Sequence, residues 1–389
     1  MNQWFKSGVV GLAVSGAILV GGAAVADDNV IRVGMVAEMT GPFAEFGRQM
    51  KAGIEAYQNQ YGDTVNGQRV EIIYKDVGGP APEVAKRVAQ ELIVRDKVDI
   101  LAGFGFTPNA LAVAPVASQA KVPMVVMNAA SAKLTSRSPY MVRTSFGYDT
   151  MVPPIAQWAL EQGHKKAYMI VADYAPGHDA EKAFEQAYVA GGGEVVGNVR
   201  VPIMTVDFAP YLQRVKDMKP DVLFAFVNAG SVAPALFKDF KTRGLAEEGI
   251  QIIGTGDIVY ESILDVIGDA GVGATTVYPY SMQHQSELNK AYIQQFQSAL
   301  GANERPTIMS VSAYDGMALI YGGLQKAGPG ADGKALLEAL KGYSFESPRG
   351  PVSIDPETRD IVQNQYIRRL ERVDGELMNV EFKTYEPQQ

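Results

Sequence analysis

The 389-residue sequence carries 43 acidic against 35 basic side chains, a formal net charge of −8, and no cysteine. An acidic chain repels a phosphate backbone, so nucleic acid is set aside as a partner class. Without a thiol there is no disulfide framework, no thiolate catalysis and no lipid-modified cysteine to hold the chain at a membrane.

In chain order, Lys6 precedes the apolar run GVVGLAVSGAILVGG, which ends at Ala24-Val25-Ala26, a small-x-small pattern of the kind signal peptidase reads. The expectation is a signal peptide over 1–26, cleaved after Ala26, and a soluble, unanchored periplasmic protein. The remainder, about 360 residues, exceeds what one hydrophobic core supports, so two domains are expected. Short β-branched runs at 31–37, 70–74, 100–103 and 124–127 alternate with helical spacing over 46–61, 82–96 and 108–120. Such alternation is the signature of parallel βαβ units. After 140–144 it starts afresh, with strands predicted at 167–172, 194–201, 222–227 and 250–253 and helices at 179–190, 208–218 and 232–243. The third section reads as a strand over 274–280, then helices over 287–300, 310–327 and 334–341, which are expected to pack back on the first unit. In the tail, 352–354 and 365–371 read as strands of a late hairpin, with its turn at Val373-Asp374-Gly375-Glu376. The fold class is therefore α/β, with two open parallel lobes.

Several motifs are decoys. Gly328 to Ala335 nearly spells a phosphate-binding loop, but it follows a helix and has alanine where the magnesium ligand belongs. Gly103-Phe104-Gly105 and Gly254-Thr255-Gly256 lack the third glycine of a dinucleotide fingerprint. His164, His178 and His284 stand far apart, so neither a metal site nor a catalytic constellation emerges, and no enzyme and no cofactor are expected. What remains are strand-to-helix loops rich in small, hydroxyl and aromatic residues: 40–46, 104–108, 128–131, 174–178, 228–231 and 255–257. These loops belong at the carboxyl ends of parallel strands, where open α/β sheets bind ligands and helix N-termini favour an anion.

At this point the chain resembles the type I periplasmic substrate-binding proteins of ATP-driven (ABC) importers, of the leucine/isoleucine/valine-binding kind. Val33 to Gly47, Asn128 to Thr135, Tyr140 to Phe146, Asp173 to Asp179 and Asp207 to Leu212 carry the resemblance. It implies lobe 1 over 28–146 plus 279–345 and lobe 2 over 147–278 plus 346–389, joined by three crossovers and closing on a ligand. It further implies that the loops of Phe106-Thr107 and Ala129 to Ser131 hold the ligand carboxylate, with Ser131 the foremost candidate. Asp257, or else Glu261, would face an amino acid's ammonium. Where relatives often carry tyrosine this chain has Phe46, beside Phe43 and Phe106, which suits an apolar or aromatic guest. Tyr174 and Asn228 complete the candidate site. The expected role is capture of a small carboxylate, aromatic or otherwise apolar, by a monomer that delivers it to a membrane permease with a cytoplasmic ATPase. Neutral or branched-chain amino acids are the alternative guests, and a sensor acting beside a membrane receptor is the alternative class.

Overall fold

The computed structural model describes residues 29–387, so the leader expected over 1–26 lies outside the described residues. Two sheets organise the chain. The first takes β1 (Val30–Ala37), β2 (Thr64–Val65), β3 (Gln68–Asp76), β4 (Ile100–Gly103), β5 (Met124–Val126) and β6 (Met141–Arg143) in the order β2-β3-β1-β4-β5-β6. Only the short edge strand β2 is antiparallel. The crossovers are α1 (Ala44–Tyr61), α2 (Pro82–Val94) and α3 (Thr107–Ala120). Helices cover both faces of a parallel sheet, which is why β4 and β5 are unbroken apolar runs and wholly buried.

Beyond α4 (Tyr148–Met151) and α5 (Pro153–Glu161), a second parallel set forms from β7 (Lys166–Ala172), β8 (Glu194–Val201), β9 (Val222–Phe226), β10 (Gln251–Thr255) and β11 (Thr275–Tyr278). Its helices are α6 (Ala175–Ala190), α7 (Ala209–Met218), α8 (Val232–Thr242) and the one-turn α9 (Leu264–Ile267). α6 starts four residues earlier than its spacing predicts, because Pro176 is accommodated in a first turn that has no use for its missing N–H.

The chain then crosses back, and α10 (Glu287–Leu300) and α11 (Ile308–Ala327) pack on α1. A Cβ on Gly53 would stand 2.0 Å from the Ser310 carbonyl oxygen, so α1 and α11 meet backbone to backbone. Gln49 of α1 fastens the same contact, accepting from the Thr307 N–H at 3.1 Å and the Thr307 hydroxyl at 3.2 Å. α12 (Gly333–Leu340) begins at the phosphate-loop decoy, where Asp332 caps it by accepting from the Ala335 N–H at 2.8 Å.

The tail departs from the single hairpin. β12 (Ser344–Ser347), β13 (Gly350–Ile354) and β14 (Ile361–Gln363) make a separate three-stranded sheet. Asp355 forms its turn, accepting from the Glu357 and Thr358 N–H groups and sending β14 back along β13. The hairpin is β15 (Gln365–Val373) with β16 (Glu376–Tyr385), added antiparallel to β11. Asp374 and Gly375 turn it at φ 52° and 90°, the paired positive angles that a two-residue hairpin loop requires.

Candidate functional site

The carboxyl ends of the two parallel sets face one cavity of about 450 Å³, counting the space open at its mouth. On the first sheet's side, Asp76 at the end of β3 shapes the rim. It accepts from the N–H groups of Met39 (2.8 Å), Thr40 (3.2 Å) and Gly78 (2.9 Å) and from the Thr40 hydroxyl. This clamp sets the start of α1 and with it the rings of Phe43 and Phe46. Phe46 stacks on Phe106 with centroids 5.4 Å apart, and Phe43 meets Phe106 edge-on at 4.8 Å. Such pairs add about 0.5–1.5 kcal/mol each beyond the area they bury.

Thr107 follows Phe106 at the first turn of α3, which no side chain caps. Its hydroxyl is buried, at 2% exposure for the residue, lines the cavity and has no hydrogen-bond partner within the protein. A buried hydroxyl left unpaired costs about 1–3 kcal/mol, so a guest that supplies the missing partner recovers that energy. The helix start beside it favours an anion. Gly105 leaves room for the carboxyl behind it, since a Cβ there would fall 2.0 Å from Glu38 Oε2 unless that side chain moved. Glu38 is buried, its Oε1 accepts from Asn109 Nδ2 at 3.0 Å, and burial pushes its carboxyl up to about 8.

From the second sheet come Tyr174, Asn228 and Asp257. Asn228 donates to the Tyr174 hydroxyl at 3.3 Å, and its own Oδ1 is buried and unpartnered. Asp257 takes three hydroxyl donors: Thr255 (2.7 Å) and Tyr148 (3.1 Å) on Oδ2, and Tyr278 (3.2 Å) on Oδ1. Burial pushes its carboxyl up and these hydrogen bonds pull it back.

Six of the nine sequence candidates therefore line the cavity: Phe46, Phe106, Thr107, Tyr174, Asn228 and Asp257. Phe43 stands one step back and lines a neighbouring cavity that shares Phe46 and Tyr260. The loop after β5 turns so that Ala130 rather than Ala129 or Ser131 faces the space. Ala129 spends its N–H on the Phe104 carbonyl at 2.9 Å. Ser131 reaches across to α6, its hydroxyl donating to Asp179 Oδ2 at 2.5 Å beside the Ala132 N–H at 2.9 Å. Glu261 is held by Arg368 at 2.9 Å and by Asn379 at 3.0 Å, which leaves Asp257 as the acid facing the cavity.

Sequence reasoning passed over Phe146, Tyr148 and Met309, which line the cavity from the first crossover and from the start of α11. The aromatic spacing at 146–148 offered a signal for Phe146 and Tyr148, and none marked Met309. Among the described residues no group of His, Asp and Glu is placed to hold a metal ion, and no helix is long and apolar enough to cross a membrane.

The Asp179 contact joins the two sheets without touching the cavity. Asp179→Ala is expected to weaken capture of a cavity guest by about tenfold, through the loss of the charged hydrogen bonds that tie the loop after β5 to α6, and to leave selectivity among guests unchanged. Titration calorimetry on two guests checks this, and altered selectivity would instead put Asp179 in contact with them.

Comparison with known proteins bears on the fold and the family. The family model described as periplasmic binding protein matches residues 30–376. Leu/Ile/Val-binding protein homolog 6 of Brucella melitensis is 43% identical, with 94% of each chain covered. A solute-binding protein of an ABC transporter from Rhodopseudomonas palustris BisB5, solved in complex with 3,4-dihydroxybenzoic acid, superposes with a TM-score of 0.88 at 47% identity, covering 93% of this chain and 98% of that one. A counterpart from Rhodopseudomonas palustris HaA2, in complex with p-hydroxybenzoic acid, gives 0.89 at 44%, covering 92% and 98%.

Proposed function

This chain belongs to the periplasmic binding protein family, and from that premise we propose that it captures an aromatic carboxylic acid for import. It is the substrate-binding component of an ABC uptake system for a carboxylate or amino-acid ligand. The finer reading rests on one observation: a ring-walled cavity whose buried Thr107 hydroxyl, beside an uncapped helix start, has no partner within the protein. The guest's carboxylate accepts from Thr107, and its ring lies against Phe46 and Phe106. A hydrogen bond to a charged group contributes roughly 1.5–3 kcal/mol.

The protein does no chemistry on its guest. It acts as a periplasmic monomer, cleaved after Ala26, and delivers to a permease driven by a cytoplasmic ATPase. Lobe 1 comprises 28–146 with 279–345, and lobe 2 comprises 147–278 with 346–389. A guest that bridges both lobes shifts the open–closed balance by its differential affinity for the closed form, and by no more than that. The second reading, a neutral or branched-chain amino acid, is favoured by the names of the Leu/Ile/Val-binding relatives and by the acid at Asp257.

Thermal unfolding against benzoate, 4-hydroxybenzoate and leucine separates the two. A guest at about 100 times its Kd adds roughly 2.7 kcal/mol and raises the melting temperature. Stabilisation by the ring acids and not by leucine is the expected outcome, and stabilisation by leucine alone would overturn the reading. Thr107→Val, nearly isosteric, is expected to weaken ring-acid binding about 10- to 100-fold with the fold intact.

A further inference from the structure

We propose that the chain has a second ligand site, separated from the first cavity by α4, and that this site takes a small organic cation: an amine carried on an apolar body. A cavity of about 870 Å³, counting the space open at its mouth, lies between α4, the start of α5, β14, the start of β15 and the end of β16. That size suits a small molecule. Tyr148 lines the first cavity, whereas Asp149 and Thr150, turned by about 100° and 200° around the helix, line the second.

Pro153, Pro154, Ile361 and Val362 give this second cavity apolar walls. Its deepest polar groups are acceptors. Gln363 is 6% exposed, and its Nε2 donates to the Ser145 carbonyl at 2.8 Å, which fixes the amide and leaves Oε1 buried without a partner. Gln365 also lines the space at 6% exposure, and its Oε1 is likewise buried and unpartnered. Two buried acceptors left unpaired are costly, so a ligand that brings N–H donors recovers that cost.

The rest of the lining sets the charge of that ligand. Asp149 is half-buried, Glu386 stands exposed at the rim, and no lysine, arginine or histidine is among the residues that line the space. The cations near it are already held: Arg143 donates to Asp360 at 2.7 Å, and Lys383, which lies over the Tyr385 ring, pairs with Glu161. Burial pushes the Asp149 carboxyl up, and Arg143 pulls it back. An ammonium entering the space meets two carboxylates and two amide oxygens, all of them acceptors, whereas a carboxylate meets the same groups with repulsion. The second site therefore selects the opposite charge to the carboxylate guest of the first.

Calorimetric titration of the unmodified protein with benzylamine and with benzyl alcohol tests the charge. Benzylamine is expected to bind at least about tenfold more tightly than the alcohol, which has nearly the same shape and no charge. Variants then assign the place. Asp149→Asn keeps the shape of the cavity, and Glu386→Lys reverses a charge on an exposed residue, so its fold is safe. Asp149→Asn should weaken benzylamine binding by about tenfold and Glu386→Lys by several-fold. Asp257→Asn, which removes the acid of the first cavity, should leave benzylamine binding unchanged. No measurable binding of benzylamine, or equal binding of the amine and the alcohol, overturns the proposal. Loss of benzylamine binding in Asp257→Asn with full binding in Asp149→Asn and Glu386→Lys also overturns it, by placing the amine in the first cavity.

Discussion

Asp315→Ala is expected to destabilise the protein by about 3–5 kcal/mol, because it strands a buried guanidinium. Asp315 and Arg349 are both fully buried and meet at 2.7 Å. Burial pushes the carboxyl up and the guanidinium down, and each partner is the other's main counterweight. Arg349 also donates to the carbonyls of Thr144 and Ser145, where the chain leaves the first sheet for the second, and Gln363 donates to the Ser145 carbonyl as well. The pair thus fixes the joint at which the three-stranded sheet, α11 and the first crossover come together. Urea unfolding checks the size of the loss. The double variant Asp315→Ala with Arg349→Met should be more stable than Asp315→Ala alone, since the uncompensated charge is gone. A double variant that is less stable still would mean that the arginine's carbonyl contacts, and not the ion pair, dominate.

Glu38→Gln is expected to flatten the fall in stability between about pH 5 and pH 8. The sign follows from the two states: the unfolded chain releases this proton near 4.5, whereas the folded protein holds it to about 8. Stability from this group is therefore complete below 4.5 and is lost as pH rises through 8, by on the order of 4–5 kcal/mol in all. Burial is the chief cause, Asp76 at the end of β3 is the charged group that adds to it, and Asn109 on α3 opposes it. Parallel denaturation series at pH 5, 7 and 8.5 show the effect, and parallel slopes in the two proteins would sink it. Because Glu38 lies directly behind Gly105, its protonated form also spares a bound anion a like charge beneath the loop. Affinity for a carboxylate is expected to fall above about pH 8 in the natural protein and to stay level in Glu38→Gln.

Much of the scaffold was legible in local pattern. β-branched runs and helical spacing placed β4, β8 and α10 to the residue: β4 is buried on both faces and admits nothing but apolar side chains, the edge strand β8 is marked by its valines, and a helix must repeat its apolar face every three to four residues. The decoys were also legible: Asp332 caps α12 as an ordinary helix start. The candidate cavity was legible at the level of loops and not of atoms. Phe46, Phe106, Thr107, Tyr174, Asn228 and Asp257 sit in strand-to-helix loops or in the first helical turns that follow them, which the parallel-sheet rule sends to one edge, and that rule is topological.

The sequence by itself determined the α/β class, the alternation that builds two sheets and the set of loops that meet between them, since each of these depends on neighbours within a few positions in the chain. Which atom in each loop turns inward was decided only by the tertiary structure. Ala130 faces the cavity while Ser131 is drawn to Asp179, 48 positions away, and Glu261 is taken by Arg368, 107 positions away. Phe146 and Met309 reach the cavity only because a crossover and the start of α11 are brought there from outside the strand-to-helix loops. Hydrogen bonds and ion pairs between distant segments choose partners by proximity in the folded state, and local periodicity carries no record of that proximity.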